Sequence, residues 1–550
     1  MSNFYLRTES IKPEDILKLC VRSNQDEQII RALRSAEPCI LEGSRGTGKS
    51  FLMRVAQQEI DDGEGSGIAV FVSFNISSLI STNDRHQFYH WMLAKALRAL
   101  LVKLKKKGLV VSPFSAGLLS NDECNDQNTV ELDLEKIVKS FENSYRSAEP
   151  VHTTSLPDIE NVKEAIQEIC EQNSIDRIYF FFDEAAHVFR PEQQRQFFSL
   201  FKDLRSPYIT CNAAIYPGVT YFGDSFEPIH DCLYKVIERD IRDSEYLGYF
   251  KEIALKQADD TLGSSIERNI DLFATIAFSG GGNPRMILKT LQDLPKFNSS
   301  SVDQVIKDFY RNKIWAEHTY LGDKYNGHKG LIDWGRDFIE RTVIPALQNY
   351  NEIRKAKRSG ESSIYFWIHK DAPETVKEAL RLLTYTGVIR KVDAGIRATR
   401  SELGTRYEVK FGCVLSLFSN PHTESKELYD ALSIKKYVEF GKSHSAYGPI
   451  LELTSAIDND QNFRESVKVM LVKSIRVLSL LTPWQMERLE ESGIKTIEEL
   501  YSKSEEELFG KIYGVGPARA RAIKNAVAAE LLEYLSGWDL ALTKIGTDSN

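Results

Sequence analysis

The chain has 550 residues, of which 42% are hydrophobic, 10% aromatic and 27% charged. This length indicates several domains of about 150 residues each, and the composition excludes collagen-like, low-complexity and wholly disordered proteins. Seventy Lys and Arg against 78 Asp and Glu leave a net charge of −8. Any contact with nucleic acid is therefore expected to be local, because the surface as a whole is not basic.

Hydropathy, the N-terminal residues and the cysteine spacing argue against a membrane-spanning, secreted, disulfide-linked or zinc-binding protein. No apolar run approaches the roughly 18 residues that a membrane span needs, and the N-terminal residues Met-Ser-Asn-Phe lack the basic and apolar regions of a signal peptide. The seven cysteines are widely spaced and form no CxxC pair, which predicts reduced thiols and neither a disulfide framework nor a zinc site. We expect a cytoplasmic protein without membrane segments.

From residue 23 to 240, short apolar runs alternate with helical stretches, which is typical of a parallel sheet covered by helices. Four runs are nearly continuous in apolar residues, as in strands buried on both faces. These candidate strands are Pro38–Glu42, Ile68–Phe74, Arg177–Phe182 and Tyr208–Ile215. A polar interval, residues 121–157, is interpreted as an insertion with one apolar-periodic piece at 132–141.

The clearest motif lies directly after the first strand and matches GxxxxGK[ST]. Its eight residues are Gly43, Ser44, Arg45, Gly46, Thr47, Gly48, Lys49 and Ser50. Because the motif joins a strand to a helix, its backbone amides and the helix N-terminus converge where phosphates can bind. We expect Lys49 to reach the β- and γ-phosphates of ATP and the Ser50 hydroxyl to bind Mg²⁺.

A second motif is the apolar strand that ends in Asp183 and Glu184. A buried strand of this kind brings acid to the carboxyl edge of the sheet, where Asp183 would bind the metal and Glu184 would polarise the attacking water. Taken alone, two acids could simply terminate a strand. Together with the glycine-rich loop, they predict an enzyme that hydrolyses ATP.

Two further residues are predicted near the γ-phosphate. Asn212 belongs to the fourth candidate strand, although a turn would use an asparagine equally well. Arg285 follows Gly281-Gly282-Asn283-Pro284 at the start of a helix and could sense the phosphate from a helical lid. The alternative for Arg285 is an ordinary position at a helix start.

In this order, the four motifs resemble an AAA+ ATPase over residues 20–300, most closely the origin-recognition-complex-like initiator branch and the related STAND signalling ATPases. The resemblance implies Lys49 and Ser50 as Walker A residues, Asp183 and Glu184 as the Walker B pair, Asn212 as first sensor and Arg285 as second sensor. Arg239 and Arg242 are candidates for an arginine finger acting on a neighbouring subunit, or else solvated helix charges.

Two modules are predicted beyond the lid. The apolar residues of 373–383 have the spacing of a helix that buries one face. Two β-type stretches follow at 388–392 and 405–410. This order resembles the winged-helix domain of initiator ATPases. Lys377 and Arg381 on the helix, with Arg397, Arg400 and Arg406 in the wing, would face phosphates; the alternative is a winged helix that packs internally or binds protein.

The last module contains Tyr513-Gly514-Val515-Gly516-Pro517, which fits the helix-hairpin-helix pattern. Glycines are expected there because the hairpin amides must approach a phosphate without an intervening Cβ. A degenerate second copy around Gly493 suggests a five-helix domain of this kind, although some members of the fold bind only proteins. The predicted DNA-binding residues are Gly514, Gly516, Arg519, Arg521 and Lys524.

The predicted fold class is α/β, a P-loop AAA+ parallel sheet with a helical lid, followed by a winged helix and an all-α helix-hairpin-helix domain. The expected boundaries are 1–245 for the ATPase core, 246–300 for the lid, 301–425 for the winged helix, 426–475 for a connector and 476–540 for the hairpin domain. The predicted activity is DNA-dependent ATP hydrolysis, with ATP and Mg²⁺ as cofactors and DNA as partner, in a homo-oligomer or with partner ATPase subunits. The alternative is a STAND-like switch that recruits an effector protein.

Overall fold

The computed structural model describes residues 4–63, 65–74, 86–120, 126–144, 151–185, 191–223, 226–324, 328–357, 360–398, 401–451, 467–478, 481–517, 519–524, 526–528 and 531. Arg400, residues 452–466 of the predicted connector and the end of the predicted hairpin domain lie outside these residues. The chain divides into two compact units, Met1–Phe297 and Asn298–Asn550. The division falls close to the predicted end of the lid.

The first unit is built on a five-stranded sheet in the order β2-β3-β4-β1-β5, in which every neighbouring pair is parallel. The strands are β1 Cys39–Glu42, β2 Ile68–Ser73, β3 Ile178–Asp183, β4 Ile209–Ile215 and β5 Leu233–Val236. The predicted α/β class and all four predicted strands are confirmed. Because all strands run in one direction, their carboxyl ends share one edge of the sheet.

Thirteen helices of this unit lie among the described residues. They are α1 Pro13–Leu19, α2 Asn24–Leu33, α3 Lys49–Asp61, α4 Gln87–Lys106, α5 Pro113–Leu118, α6 Gln127–Asn143, α7 Ile159–Gln172, α8 Pro191–Asp203, α9 Pro228–Asp231, α10 Tyr246–Leu255, α11 Asp260–Arg268, α12 Ile270–Ser279 and α13 Pro284–Gln292. The apolar-periodic piece of the polar interval is helical, within α6, and buries its apolar face in a hydrophobic core of this unit. Helices α10–α13 lie within residues 246–300, where the helical lid is predicted.

The second unit begins with helices and a small mixed sheet. Its first helices are α14 Ser299–Asp308, α15 Ile314–Lys324, α16 Lys329–Phe338, α17 Ile344–Ala356, α18 Glu374–Thr386, α19 Phe411–Leu415 and α20 Pro421–Asp430. The sheet, in the order β7-β8-β6-β9, contains β6 Tyr365–His369, β7 Ile389–Arg397, β8 Leu403–Val409 and β9 Val438–Phe440. The predicted helix and its two following strands correspond to α18, β7 and β8, whereas β6 and β9 were not predicted.

The C-terminal described segment has its own hydrophobic core, formed by residues between Val467 and Leu531. Its helices are α21 Lys468–Leu471, α22 Pro483–Glu491, α23 Ile497–Ser502 and α24 Glu505–Lys511, and residues 519–524 and 526–528 are also helical. Thr482, Thr496 and Ser504 each form a capping box at the start of the helix that follows. Short helices of six to nine residues depend on such caps and on their shared core.

Candidate functional site

The glycine-rich loop joins β1 to α3 at the carboxyl edge of the parallel sheet. Gly46 and Gly48 have φ of +90° and +99°, a region that favours glycine. A Cβ at Gly43 would lie only 2.2 Å from Ile237 Cγ2. The described residues provide no side-chain cap for the N-terminus of α3, so its first amides are available to an anion.

Lys49 is the first residue of α3, and its side chain is buried beneath the loop. Its Nζ donates to the carbonyl oxygens of Gly43 (2.6 Å) and Ser44 (3.1 Å) and lies 4.2 Å from the centroid of the Tyr216 ring. Burial lowers the pKa of Lys49 to about 8, while the negative charges of Asp183 and Glu238 oppose that shift. The loop therefore holds a desolvated cation.

The acid pair lies at the end of the neighbouring strand β3. Asp183 is buried, and its Oδ1 accepts a hydrogen bond from the Glu184 amide (3.0 Å). Glu184 adopts φ of +52°, an uncommon conformation for a residue with a side chain, and is exposed to solvent. Removal of water from one side of its carboxyl raises the pKa of Glu184, and the adjacent charge of Asp183 adds to this effect.

Oxygen donors suited to Mg²⁺ are present at Ser50, the second residue of α3, and at Asp183, the last residue of β3. No cluster of three or more His, Cys, Asp or Glu side chains that could hold a metal occurs among the described residues. A cation at this edge would thus take its remaining ligands from phosphate oxygens and water, the arrangement that Mg²⁺ commonly adopts in nucleotide sites. The residues fit Mg²⁺ bound together with a nucleoside triphosphate.

The lid helix α13 begins in contact with the loop. Asn283 caps α13, and its Nδ2 donates to the Arg45 carbonyl oxygen (2.8 Å). A Cβ at Gly46 would lie 2.9 Å from Asn283 Oδ1 and 3.0 Å from Arg285 Cβ, and the charge of Arg285 acts on Lys49. Arg285 Nε also donates to the Leu6 carbonyl oxygen (2.9 Å). The predicted second-sensor arginine therefore lies beside the loop, although it follows Gly46 by more than 200 residues.

One residue at the loop was not predicted. Glu238 Oε1 accepts a hydrogen bond from the Ser44 amide (2.8 Å), and its negative charge acts on Lys49. Glu238 follows β5 after one residue, a short strand that the sequence pattern did not indicate. Without that strand, nothing in the sequence connected residue 238 to the loop.

The prediction that Asn212 lies near the γ-phosphate is wrong. In the parallel register, Asn212 pairs with Cys39, whereas the end of β4, Ile215, pairs with Glu42 beside the loop. Asn212 is fully buried, and its Nδ2 donates to the carbonyl oxygen of Leu33, at the end of α2. The polar side chain thus lies near the start of β1, and Tyr216, the residue after β4, is the one that faces Lys49.

The finger interpretation of Arg239 is also wrong for this structure. The residue is only 6% exposed, its guanidinium pairs with Asp26 and donates to Ser23 Oγ (3.3 Å), and it lies 3.9 Å from the Tyr249 ring centroid. A finger must reach a neighbouring subunit, which a buried and paired arginine cannot do. Arg242 pairs with Asp240, two residues away.

In the second unit, the predicted DNA-reading helix α18 carries half-buried charged side chains. None of its described side chains is exposed; among the half-buried ones, Lys377 has other contacts and Arg381 pairs with Glu378. The wing residue Arg406 is buried, pairs with Asp393 and donates to the Ile434 carbonyl oxygen (2.6 Å). The prediction that Arg406 faces phosphates is therefore wrong, because internal contacts occupy its guanidinium. For Lys377 and Arg381 it stays a prediction.

The two glycines predicted to bind DNA in the C-terminal hairpin are both exposed to solvent. Gly514 has φ of +80°, both Gly514 and Gly516 are exposed, and the Gly516 carbonyl oxygen accepts from the Ala520 amide (3.0 Å). Arg519 is exposed, and its Nη1 donates to the Gly514 carbonyl oxygen (2.6 Å). An exposed glycine turn at a helix start, with an arginine beside it, is a suitable contact for a phosphate.

The other two predicted cations of the hairpin have intramolecular partners. Arg521 pairs with Glu505 at 3.2 Å, and Lys524 Nζ donates to the Tyr501 carbonyl oxygen (2.6 Å) and lies 5.1 Å from the Tyr501 ring centroid. Lys524 is half-buried. Arg519 also donates to a backbone carbonyl oxygen, but it is exposed. Because of this greater exposure, we expect Arg519 to contribute more to an external phosphate contact than Lys524 does.

Comparison with known proteins assigns no family. No family model matches the chain, and no curated protein matches it. Among solved structures, the chain aligns with the Aeropyrum pernix ORC1 protein in complex with DNA, at 12% sequence identity and a TM-score of 0.31, over 76% of this chain and 98% of that one. Among the described residues, no helix is both long and apolar enough to cross a membrane.

Proposed function

We propose that this chain binds and hydrolyses ATP at the edge of its parallel sheet. The observation that carries the proposal is the buried Lys49, held under a glycine-rich loop and close to the charge of the strand-end acid Asp183. In the bound state, Lys49 Nζ would contact the β- and γ-phosphates, while Ser50 and Asp183 would hold Mg²⁺. Bound Mg²⁺ supplies neutralisation of the charge that develops on the transferring phosphoryl group.

Glu184 is the residue that would orient the attacking water. Glu184 directly follows Asp183 and is exposed, and its raised pKa makes its carboxylate a better proton acceptor than that of an ordinary glutamate. Arg285, which lies beside the loop, would stabilise the γ-phosphate from the lid. Arg239 has no part in this assignment, because its guanidinium is buried and paired with Asp26.

We further propose that the nucleotide state is coupled to nucleic-acid binding by the C-terminal hairpin, with DNA as the expected partner. The exposed turn at Gly514 and Gly516 with Arg519 supports this assignment. Coupling requires that ATP favours one of two conformations that differ in DNA affinity. Homo-oligomerisation, or assembly with other ATPase subunits, is part of the same proposal.

Measurements of ATP turnover with and without DNA test both parts of the proposal, ATP hydrolysis and its coupling to DNA binding. We expect DNA-stimulated hydrolysis by the wild type, and a loss of about 100-fold or more in Lys49→Ala and in Glu184→Gln, because each removes an electrostatic contribution to phosphoryl transfer. The double variant Gly514→Asp with Gly516→Asp should lose DNA retention at low salt and keep its basal hydrolysis. Wild-type turnover in Lys49→Ala would contradict the catalytic assignment.

The same measurements separate the alternative function, a nucleotide-dependent switch that recruits an effector. A switch would show negligible turnover, nucleotide that copurifies with the protein, and assembly triggered by a protein partner rather than by DNA. Unchanged DNA binding in the double glycine variant would transfer DNA recognition to another part of the chain.

A further inference from the structure

The tip of the C-terminal hairpin carries an exposed aromatic side chain. Tyr513 is 86% exposed, while its neighbour Ile512 is 4% exposed and belongs to the core of the segment. The apolar anchor before the first glycine is therefore Ile512, and Tyr513 is not needed to fill that core. A tyrosine held in water in this way can offer the faces of its ring to a ligand.

The backbone around Tyr513 is braced by a second aromatic residue. A Cβ at Gly514 would lie 3.2 Å from Trp484 Cζ2, which places the turn against the edge of that indole. The Arg519 guanidinium lies 5.0 Å from the Trp484 ring centroid and donates to the Gly514 carbonyl oxygen. Trp484 is itself 37% exposed. These contacts join two exposed aromatic rings and a cation at one turn.

The charge of the segment favours stacking over a purely electrostatic contact. Between Val467 and Leu531 the sequence contains ten Lys or Arg and nine Asp or Glu residues, so the segment is close to neutral. Arg521 already pairs with Glu505. Counterion release from a few phosphate contacts would give weak binding at physiological salt, and each stacked base would add about 1–3 kcal/mol without further charge.

We propose that Tyr513 stacks on an unpaired base, so that the hairpin binds single-stranded DNA in preference to duplex. This inference rests on the proposed role of Gly514 and Gly516 in phosphate binding. A phosphate held at those glycines brings the adjoining nucleotide to the residue that precedes them. In a duplex that base is paired and stacked within the helix, whereas in a single strand its face is open to an aromatic ring.

The test is fluorescence anisotropy of a labelled oligothymidine and of its duplex with oligoadenosine, titrated with full-length protein at one salt concentration. For Tyr513→Ala we expect single-strand affinity to fall about 5- to 150-fold, the equivalent of about 1–3 kcal/mol for one stacked base, and duplex affinity to change by less than about twofold. Tyr513→Phe keeps the ring and should bind like the wild type. The salt dependence should keep its slope, because no charge is removed.

The outcomes separate this inference from the function on which it rests. If the wild type binds neither DNA, both fail. If the double variant Gly514→Asp with Gly516→Asp loses binding while Tyr513→Ala binds both DNAs like the wild type, the phosphate role stands and the stacking role is overturned, which would favour a protein contact for Tyr513. Equal losses for single strand and duplex would also overturn it. Because Tyr513 lies outside the core, Tyr513→Ala and Tyr513→Phe should melt like the wild type.

Discussion

Substitution of Arg239 by methionine distinguishes a structural arginine from a catalytic one. In the folded chain, the Arg239 guanidinium is the ionic partner of Asp26, a fully buried carboxylate at the start of α2. Arg239→Met keeps much of the side-chain volume and leaves that carboxylate without its counter-charge. Removing one partner of a buried ion pair typically costs about 3–5 kcal/mol.

This cost predicts a large thermal shift. At about 2–4 °C per kcal/mol for a domain of this size class, the melting temperature of the first unit should fall by about 6–20 °C, as measured by circular dichroism or calorimetry. Arg242→Met is the matched control, since Arg242 is about one-third exposed and pairs with Asp240, two residues away. Exposed pairs contribute about 1 kcal/mol or less, so its melting temperature should change little.

A second substitution tests the cause of the shift. Asp26→Asn in the Arg239→Met background removes the uncompensated charge and should restore part of the lost stability. A different set of results would refute a structural role for Arg239. The Arg239→Met protein would then melt like the wild type and lose ATP turnover, and turnover would return when it is mixed with Lys49→Ala subunits. That pattern would identify Arg239 as a finger acting between subunits.

Three further predictions concern the loop. Gly46→Ala should weaken ATP binding about 5- to 150-fold in a fluorescent-nucleotide titration, because a side chain in the left-handed backbone region costs about 1–3 kcal/mol and the new Cβ would lie 2.9 Å from Asn283 Oδ1. The control Gly65→Ala, whose new Cβ would have no neighbour within 4 Å, should bind ATP like the wild type. Equal ATP affinity of the two variants would contradict the prediction. Glu238→Gln should tighten ATP binding about five- to tenfold in the same titration, since it removes a negative charge near the phosphates and keeps an acceptor for the Ser44 amide. Weaker ATP binding by this variant would show that the Glu238 carboxylate is required for binding. The ATP affinity of the wild type should fall about tenfold between pH 7 and 9, because Lys49, with a pKa of about 8, loses its positive charge over that range. The ATP affinity of Lys49→Ala should not change in this way with pH. A wild-type affinity that is the same at pH 7 and 9 would exclude Lys49 as the titrating group.

The elements that could be predicted from sequence are those whose signal is local. β1, the glycine-rich loop and α3 follow one another without interruption, and the apolar run that ends at Asp183 marks a buried strand by composition alone. β5 was missed because it has four residues, is half-exposed and includes a lysine. Such an edge strand lacks the continuous apolar run of a buried one.

The errors at the site come from register and from distant contacts. Asn212 lies in the predicted strand, but only the pairing of Ile215 with Glu42 reveals that it lies three residues short of the carboxyl edge. The contact between Glu238 and the Ser44 amide joins residues 194 positions apart. No local pattern contains either relation, since both depend on which strands become neighbours.

Calorimetric titration of Mg²⁺-ATP into the wild type and Lys49→Ala tests the central claim most directly. We expect saturable binding of one nucleotide per chain by the wild type. Affinity should fall at least about 30-fold in Lys49→Ala, because loss of one partner from a buried charged contact costs about 2 kcal/mol or more. Equal affinity of the two proteins, or no binding by a folded wild type, would contradict the assignment of this loop as the nucleotide site.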